Sequence, residues 1–368
     1  MRLLKLDSIS HGQKLGKSIR NSSGHILINE GVELTSRMIQ RLTELNIPYV
    51  YVQDPRTENI RIESAISEPL RQEAMEAIET TFYEMQKRDA LKNTLSLQKA
   101  SRRFLGIIRN IMEEVKSRTE LITLLADVYT YDNYIFTHSL NVTLYTLAIG
   151  LELKLPQKQL ETLGLGAILH DVGKMQVPLE ILMKPGKLTE DEFGAMKKHS
   201  EWGFDLIRNV DTLPLLVAHC AFQHHERLDG SGYPRGLIGD EIHDFGKIIA
   251  VADVFDAVTS HRVYRTAMLP HEGLEILYAG AGRQFDVKII DAFRKSVAIY
   301  PNGLGVILND GRKGVVSSQN KGMSDRPVVR ILEEQGMPVS IPYEIDLSGK
   351  IDVVITGCDT AIKETIKM

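Results

Sequence analysis

The sequence is poor in cysteine, with only Cys220 and Cys358 among its 368 residues. Two cysteines cannot build a disulfide framework, which excludes the small disulfide-stabilised proteins of the secreted class. The amino-terminal stretch MRLLKLDSIS also lacks the apolar core of a signal peptide. Both absences predict a protein of the reducing cytoplasm.

Long apolar runs are absent as well. A membrane-spanning helix needs about 18 or more consecutive apolar residues, and even SLNVTLYTLAIGL is interrupted by Asn141, Thr143 and Thr146. The net charge of -4 gives no reason to expect a nucleic-acid polymer or a membrane surface as a partner. With 43% hydrophobic and 25% charged residues, the chain has a globular composition and no predicted membrane span.

The chain divides into four stretches. Residues 1–55 alternate β-like runs with the helical stretch LTSRMIQRLTELN, which predicts a small α/β module. Residues 56–128 hold helix formers and almost no Gly or Pro, and predict a long helical connector. Residues 129–298 are mainly helical and hold most histidines, whereas residues 299–368 hold β-like runs joined by turns such as Asp310-Gly311. The predicted fold is mainly α: an all-α helical bundle between a small α/β amino-terminal module and a small β-rich carboxyl-terminal segment.

One face of the connector is apolar. Its residues at intervals of three and four are Met75, Ile78, Phe82 and Met85, which is the spacing of a packed helix. The same spacing fits a face buried within the chain and a seam between two copies. A homodimer through the connector is therefore one alternative and intramolecular packing is the other.

Six of the eleven histidines fall between residues 138 and 225. Each lies on a segment whose other residues are suited to packing, and Asp253 lies in the apolar helix KIIAVADVFDAVTS. A buried carboxylate is costly unless it has a partner, and a cation is one such partner. The metal-capable side chains of these segments are His138, His170, Asp171, His199, His224, His225 and Asp253.

Two local structures are predicted beside these residues. Thr189 and Glu192 have the spacing of a capping box, which places His199 near the middle of the helix that follows. Gly173, which follows the apolar run LGLGAILHD, is suited to ending a helix in the left-handed conformation.

Five imidazoles and two carboxylates are enough nitrogen and oxygen ligands for two metal ions. This ligand set suits Mn or Fe and tolerates Zn, and it differs from a cysteine-rich structural zinc site. Two ions about 3.5–4 Å apart lower the pKa of a bridging water and stabilise the oxyanions of an in-line phosphoryl displacement. Phosphoester hydrolysis is therefore the predicted chemistry.

The ordered series of His138, His170-Asp171-x-Gly173-Lys174, His199, HHERLDGSGYP and Asp253 resembles the HD-GYP group of the HD metal-dependent phosphohydrolase superfamily. An HD dipeptide alone is a weak signal, but the extended glycine-tyrosine-proline element with all its ordered partners is specific. The resemblance implies an HD-type helical bundle and a bacterial signalling enzyme. Its expected reaction is the hydrolysis of cyclic di-GMP to pGpG, and onward to GMP as a further step.

The resemblance also implies how the metal ions are held. Asp171 would bridge the two ions, with His138, His170 and Asp253 on one side and His199, His224 and His225 on the other. Fe or Mn is expected, with Zn, Mg and Ni as alternatives. Some members bind a third ion through a glutamate four residues before the first histidine, where this chain has Tyr134. Two ions are therefore predicted.

Substrate contacts are implied in the same way. Lys174 would contact the scissile phosphate, Arg262 and Arg265 would grip the substrate phosphates, and Gly232, Tyr233 and Pro234 would shape the loop at the mouth of the site. Glu226 and Asp229 fit two roles equally, as acids that orient the histidines or as residues that form the turn.

Two other functions stay open. The first is a phosphohydrolase of the same superfamily that acts on another nucleotide, such as a hybrid cyclic dinucleotide. The second is a protein without catalysis that binds cyclic dinucleotides or docks partners such as diguanylate cyclase domains through its glycine-tyrosine-proline loop. Intact metal ligands favour an enzyme, because a scaffold has no chemical need for them.

Overall fold

The computed structural model describes residues 1–21, 24–45, 47–87, 89–117, 134–260 and 267–361. These residues form two compact units. One is built from the described parts of Met1–Ala65 and Val297–Met368, and the other from those of Ile66–Arg118 and Asn133–Ser296. The amino-terminal module and the carboxyl-terminal strands thus belong to the same unit.

The first unit combines nine strands with one α-helix among its described residues. Its amino-terminal elements are β1 (Arg2–Lys5), β2 (Ile19–Arg20), β3 (Ile26–Ile28), α1 (Ser36–Glu44) and β4 (Tyr49–Val52). Its carboxyl-terminal strands are β5 (Gly305–Leu308), β6 (Lys313–Ser318), β7 (Val328–Glu334), β8 (Met337–Asp346) and β9 (Ile355–Cys358).

Two small pairings and one larger sheet organise these strands. β1 pairs antiparallel with β4, and β2 pairs antiparallel with β3. The carboxyl-terminal strands form an antiparallel sheet in the order β8-β7-β6-β5-β9. The turn between β5 and β6 contains Gly311 at φ +84°, a backbone conformation that glycine adopts without strain. A small β-rich carboxyl-terminal segment is thereby confirmed.

In the second unit, the regular elements among the described residues are all helical. Its helices are α2 (Glu68–Met85), α3 (Ala90–Ser117), α4 (Tyr134–Glu152), α5 (Gln157–Leu169), α6 (Leu179–Leu182), α7 (Glu190–Lys197), α8 (His199–Ile207), α9 (Leu215–Gln223), α10 (Asp244–Thr259), α11 (Pro270–Ala279) and α12 (Val287–Ser296). A short 3-10 turn, Val172–Gln176, follows α5. The mainly α fold class with a helical bundle is confirmed.

Helix α4 lies at the centre of this bundle. It packs against α5, α10 and α12, and Leu140, Leu144 and Leu147 on it are fully buried. Because α4 and α10 are apolar over most of their surface, the few polar side chains they carry are held in a low-dielectric interior. His138 and Asp253 are among these side chains.

The connector consists of two helices, α2 and α3, that pack against each other. Pro69 lies in the first turn of α2, as its fixed φ favours. All four residues of the apolar connector face are buried within the chain, at 8% exposure or less. For these residues the structure therefore supports the intramolecular alternative. In the described ranges, no helix has both the length and the apolarity that crossing a membrane requires.

Candidate metal centre

Five helical segments bring the seven predicted ligands together. His138 is on α4 and Asp253 on α10, where both are buried. The others lie at the ends of helices, where a side chain can point along the helix axis into a shared space. These are His170 and Asp171 after α5, His199 at the start of α8, and His224 and His225 after α9.

Asp171 occupies the middle of this cluster, with its side chain 1% exposed. Its Oδ2 lies 3.5 Å from His138 Nε2 and 3.4 Å from His170 Nε2. Its Oδ1 lies 3.4 Å from His199 Nε2 and 3.7 Å from His224 Nε2. One carboxylate thus separates four imidazoles into two pairs, and each pair faces a different oxygen.

Asp253 closes the other side of the cluster. Its Oδ1 lies 3.1 Å from His138 Nε2, and its Oδ2 lies 3.5 Å from His225 Nδ1. Six of the seven predicted ligands form two groups, within each of which the potential ligand atoms all lie within 4.8 Å of one another: one of His138, His170 and Asp171, and one of Asp171, His199, His224 and His225. Asp253 belongs to neither group and adjoins them through His138 and His225.

The ligand atoms fit a bound cation. His170 Nε2 and Asp171 Oδ1 are buried and have no hydrogen-bond partner among the described residues. Leaving a buried polar atom unpaired costs about 1–3 kcal/mol. A divalent ion between these groups would supply the missing partner, and nitrogen and oxygen donors are what Mn, Fe and Zn accept.

The other ring nitrogens fix how the imidazoles are presented. Nδ1 of His170 contacts the Ala167 carbonyl oxygen at 2.7 Å, and Nδ1 of His199 contacts the Met196 carbonyl oxygen at 2.7 Å. Because a carbonyl oxygen can only accept, Nδ1 must carry the proton in both rings. In the neutral form of each ring, Nε2 is then the unprotonated nitrogen that can ligate a metal.

Burial also keeps several of these imidazoles neutral. It lowers the pKa of His199 to about 4, and it holds the pKa values of His224 and His225 well below the ordinary value. For His138 the effect of burial is outweighed by the hydrogen bonds that it donates to the carboxylates of Asp253 and Asp256, which raise its pKa to about 9. His138 is therefore an imidazolium in the metal-free protein at neutral pH.

The central carboxylate, Asp171, is kept ionised by its neighbours in spite of its burial. Burial alone would raise the pKa of Asp171, but the Lys174 ammonium and the interaction with His170 hold it well below the usual range. Lys174 Nζ donates a hydrogen bond to Asp171 Oδ2. The predicted phosphate-binding lysine thus lies next to the predicted bridging acid.

Gly173 has a different role from the one expected. Its φ is not positive, so the prediction of a left-handed helix end was wrong. A Cβ at this position would lie 2.0 Å from the His199 carbonyl oxygen and 2.5 Å from the Gly203 nitrogen. Glycine is required because the 3-10 turn that carries Lys174 packs backbone to backbone against α8.

The position of His199 within its helix was also wrong. The capping box of Thr189 and Glu192 is present and begins α7, but α7 ends at Lys197 and α8 begins at His199. The break brings the fully buried His199 to a helix start instead of a helix middle. The break lies where the α8 backbone packs against Gly173. Local sequence spacing carries no information about this contact between distant segments.

The glycine-tyrosine-proline loop packs against the histidine pair. The Tyr233 ring centroid lies 4.6 Å from that of His225, and the peptide bond between Tyr233 and Pro234 is cis. A Cβ on Gly232 would lie 2.4 Å from the Arg227 nitrogen, so only glycine permits this close return of the loop.

Two acids hold the loop in shape. The buried Glu226 carboxylate accepts hydrogen bonds from the backbone nitrogens of Arg235 and Leu237 at 2.8 and 3.0 Å. Asp229 accepts one from the Ser231 nitrogen at 3.0 Å. Of the two roles considered for these acids, the contacts support loop formation.

Sequence reasoning missed Asp256. Its Oδ2 lies 2.7 Å from His138 Nδ1, while its Oδ1 accepts hydrogen bonds from Asn141 Nδ2 and Ser260 Oγ, each at 3.0 Å. A carboxylate that fixes the far nitrogen of a ligating histidine sets the orientation and basicity of that ring. The available signal was a second acid three residues after Asp253 in an apolar helix.

Three other positions were singled out in the sequence: Tyr134, Arg262 and Arg265. Tyr134, where a third-ion glutamate would stand, stacks on His138 with the ring centroids 5.4 Å apart. Arg262 and Arg265 lie in residues 261–266, outside the described ranges.

The chain resembles known proteins across this site. The HD domain family model matches residues 106–289, which is half of the chain. A cyclic di-GMP phosphodiesterase of Pseudomonas aeruginosa is 35% identical over 252 residues, covering 68% of this chain and 61% of the relative. A cyclic di-GMP phosphodiesterase response regulator of Xanthomonas campestris is 37% identical over 246 residues, covering 63% of this chain and 65% of the relative.

A third relative carries a different substrate in its name. It is a 3′3′-cGAMP-specific phosphodiesterase of Vibrio cholerae, 37% identical over 169 residues, covering 46% of this chain and 36% of the relative. The chain spans less than two thirds of the length of each of these three relatives. The family match and the ordered ligand series within it show that the chain belongs to the HD domain family, in its HD-GYP group.

Proposed function

We propose that this chain is a metal-dependent phosphodiesterase that hydrolyses cyclic di-GMP to pGpG in bacterial signalling. The observation that carries the proposal is the position of one buried carboxylate, Asp171, between two pairs of histidine Nε2 atoms. This arrangement of donors suits a pair of ions better than a single one, because each carboxylate oxygen has its own set of nitrogen neighbours.

We assign Asp171 as the bridging ligand, His138, His170 and Asp253 to one ion, and His199, His224 and His225 to the other, with Fe or Mn as the metal. Two such ions would supply an activated water and neutralise charge that develops on the phosphoryl oxygens. The protein contributes the geometry: Nδ1 contacts to backbone carbonyls and to Asp256 hold the rings with Nε2 directed inward.

Lys174 is the residue we assign to the scissile phosphate. Its Nζ donates to Asp171 Oδ2, and its side chain is 15% exposed. An ammonium there donates to a non-bridging phosphate oxygen more strongly as charge builds up, since the surroundings are largely shielded from water.

The loop of Gly232, Tyr233 and Pro234 bounds the mouth of the site beside His225. We assign it to substrate binding, together with Arg262 and Arg265, whose guanidinium groups suit phosphate oxygens. The names of the Pseudomonas and Xanthomonas relatives favour cyclic di-GMP as the substrate. We expect pGpG as the first product and GMP only after a second hydrolysis.

A hybrid cyclic dinucleotide is the second candidate substrate. The 37% identical Vibrio relative is named for 3′3′-cGAMP, and the metal ligands do not distinguish guanine from adenine. Turnover of 3′3′-cGAMP at a higher kcat/KM than cyclic di-GMP would favour this candidate.

The test is anaerobic incubation of metal-loaded protein with cyclic di-GMP, followed by chromatographic separation of the nucleotides. We expect pGpG from the wild type and none from Asp171→Ala, which removes the central carboxylate. Asp211→Asn, a change at an exposed acid, is the matched control and should retain turnover. Wild-type protein that carries metal and yields no product from cyclic di-GMP would overturn the proposal.

A further inference from the structure

An exposed aromatic ring and a lysine stand next to Tyr233 on α7. The Phe193 side chain is 46% exposed, and its ring centroid lies 6.5 Å from that of Tyr233 in an edge-to-face arrangement. Lys197, one helical turn later, places Nζ 4.7 Å from the Phe193 centroid and 5.5 Å from the Tyr233 centroid. Two rings and one cation thus form a continuous group.

This group begins at the metal centre and ends in solvent. The Tyr233 ring contacts the His225 ring, with centroids 4.6 Å apart, and also lies 6.4 Å from the His199 ring. Phe193 is the outermost member. A ligand that is held at the histidines and reaches past Tyr233 would meet Phe193 and Lys197.

The exposure of Phe193 is not the result of a loose helix end. The Thr189 and Glu192 capping box fixes the start of α7, and Lys184 Nζ donates to Glu192 Oε1 at 2.8 Å. A single exposed apolar side chain on a surface is ordinary. This one differs because it is held in place, pairs with a cation and adjoins the aromatic residue of the predicted substrate loop.

We propose that Phe193 and Lys197 bind the part of a cyclic dinucleotide that lies outside the metal centre, with Phe193 stacking on a purine base and Lys197 contacting the second phosphate. Nucleobases stack on exposed aromatic rings, and a lysine ammonium contacts a phosphate as a flexible point charge. The inference rests on the proposed function and deepens it by naming the residues that bind the substrate away from the reacting bond.

The test compares steady-state kinetics of Phe193→Ala and Lys197→Gln with the wild type on cyclic di-GMP. Loss of one stacked base weakens binding by about 10-fold or more, so KM should rise by about that factor in Phe193→Ala. Since the contact is made equally in the bound substrate and the transition state, kcat should stay within about twofold of the wild-type value. Phe193→Trp and Lys197→Arg should restore KM.

Two controls match these changes. Leu215→Ala removes an equally exposed apolar side chain, 56% exposed, at the start of α9, about 13 Å along the helix from His224. Lys158→Gln removes an exposed lysine near the start of α5. Both should leave KM unchanged. Metal content is measured for every variant.

The outcomes separate this inference from the proposed function. If Phe193→Ala and Lys197→Gln both show the same KM as the wild type, the inference is overturned. Turnover of cyclic di-GMP by the wild type would still support the proposed function. A fall in kcat and metal content together would also overturn it, because the two residues would then only support His199 and His225. If the wild type does not turn over cyclic di-GMP, calorimetry decides: about 10-fold weaker binding by Phe193→Ala than by the wild type supports the inference, and equal or absent binding refutes it.

Discussion

Replacing Asp256 by asparagine should impair the metal centre although Asp256 is not one of the predicted ligands. In the wild type, Asp256 accepts three hydrogen bonds: one from His138 Nδ1 at 2.7 Å, and one each from Asn141 Nδ2 and Ser260 Oγ at 3.0 Å. All three partners donate, and both oxygens of the Asp256 carboxylate are acceptors, so each donor is satisfied.

An asparagine side chain has one oxygen and one amide nitrogen, so it fails in either orientation. If the oxygen faces His138, the amide nitrogen faces Asn141 Nδ2 and two donors meet. If the amide nitrogen faces His138, it requires an unprotonated Nδ1, which places the proton on Nε2. Nε2 is the atom that lies 3.1 Å from Asp253 and 3.5 Å from Asp171, and a protonated nitrogen cannot ligate a metal.

Changes to residues that orient a ligating histidine cost about 10- to 100-fold in metal affinity or activity, and Asp256→Asn should fall in this range. The assay is metal content by elemental analysis together with kcat on cyclic di-GMP at saturating metal. Asp244→Asn on the same helix, where the acid is 81% exposed, is the matched control. Wild-type metal affinity and wild-type kcat in Asp256→Asn would refute the reasoning.

Two other predictions follow from the same contacts. Gly173→Ala should destabilise the protein by about 1–3 kcal/mol or more in denaturant unfolding, because the new Cβ would lie 2.0 Å from a backbone oxygen of α8. Gly194→Ala on α7, with nothing within 4 Å of its Cβ, should be neutral or stabilising. Equal effects of the two changes would contradict the close packing of Gly173 against α8. Metal binding near neutral pH should release a proton from His138, because the pKa of His138 in the metal-free protein is raised to about 9. Metal affinity should therefore rise with pH up to about that value. Calorimetry in buffers of different ionisation enthalpy measures the proton release, and no release at pH 7 would contradict the assignment of His138 as an imidazolium.

The sequence was sufficient to predict the segments that converge on the site, because each carries a polar, metal-capable group on an otherwise apolar run. Periodicity alone identified α1 and the apolar face of α2, and the position of Asp310-Gly311 identified the β5–β6 turn. The ordered motif series, with its resemblance, was needed to group distant residues such as His138 and Asp253, since no local spacing links positions on different helices.

Other features depend on tertiary contacts that a linear pattern does not carry. The need for glycine at position 173 arises from a backbone contact with His199 and Gly203, which lie on a separate segment. The break between α7 and α8 lies at the same contact. Asp256 escaped notice because a second acid on a helix usually indicates a solvated face, whereas its hydrogen bonds to His138 and Asn141 appear only after α4 packs on α10. Glu226 likewise acquires its loop-holding role through backbone nitrogens nine and eleven residues away.

The binuclear centre is tested most directly by an anaerobic titration of metal-free protein with Mn or Fe. Conversion of cyclic di-GMP to pGpG is measured at each step. With a binuclear centre, turnover should increase until two metal ions are bound per chain and then reach a plateau. A plateau at one or three ions per chain would contradict the binuclear centre around Asp171. No product at any metal loading would contradict the proposed reaction itself.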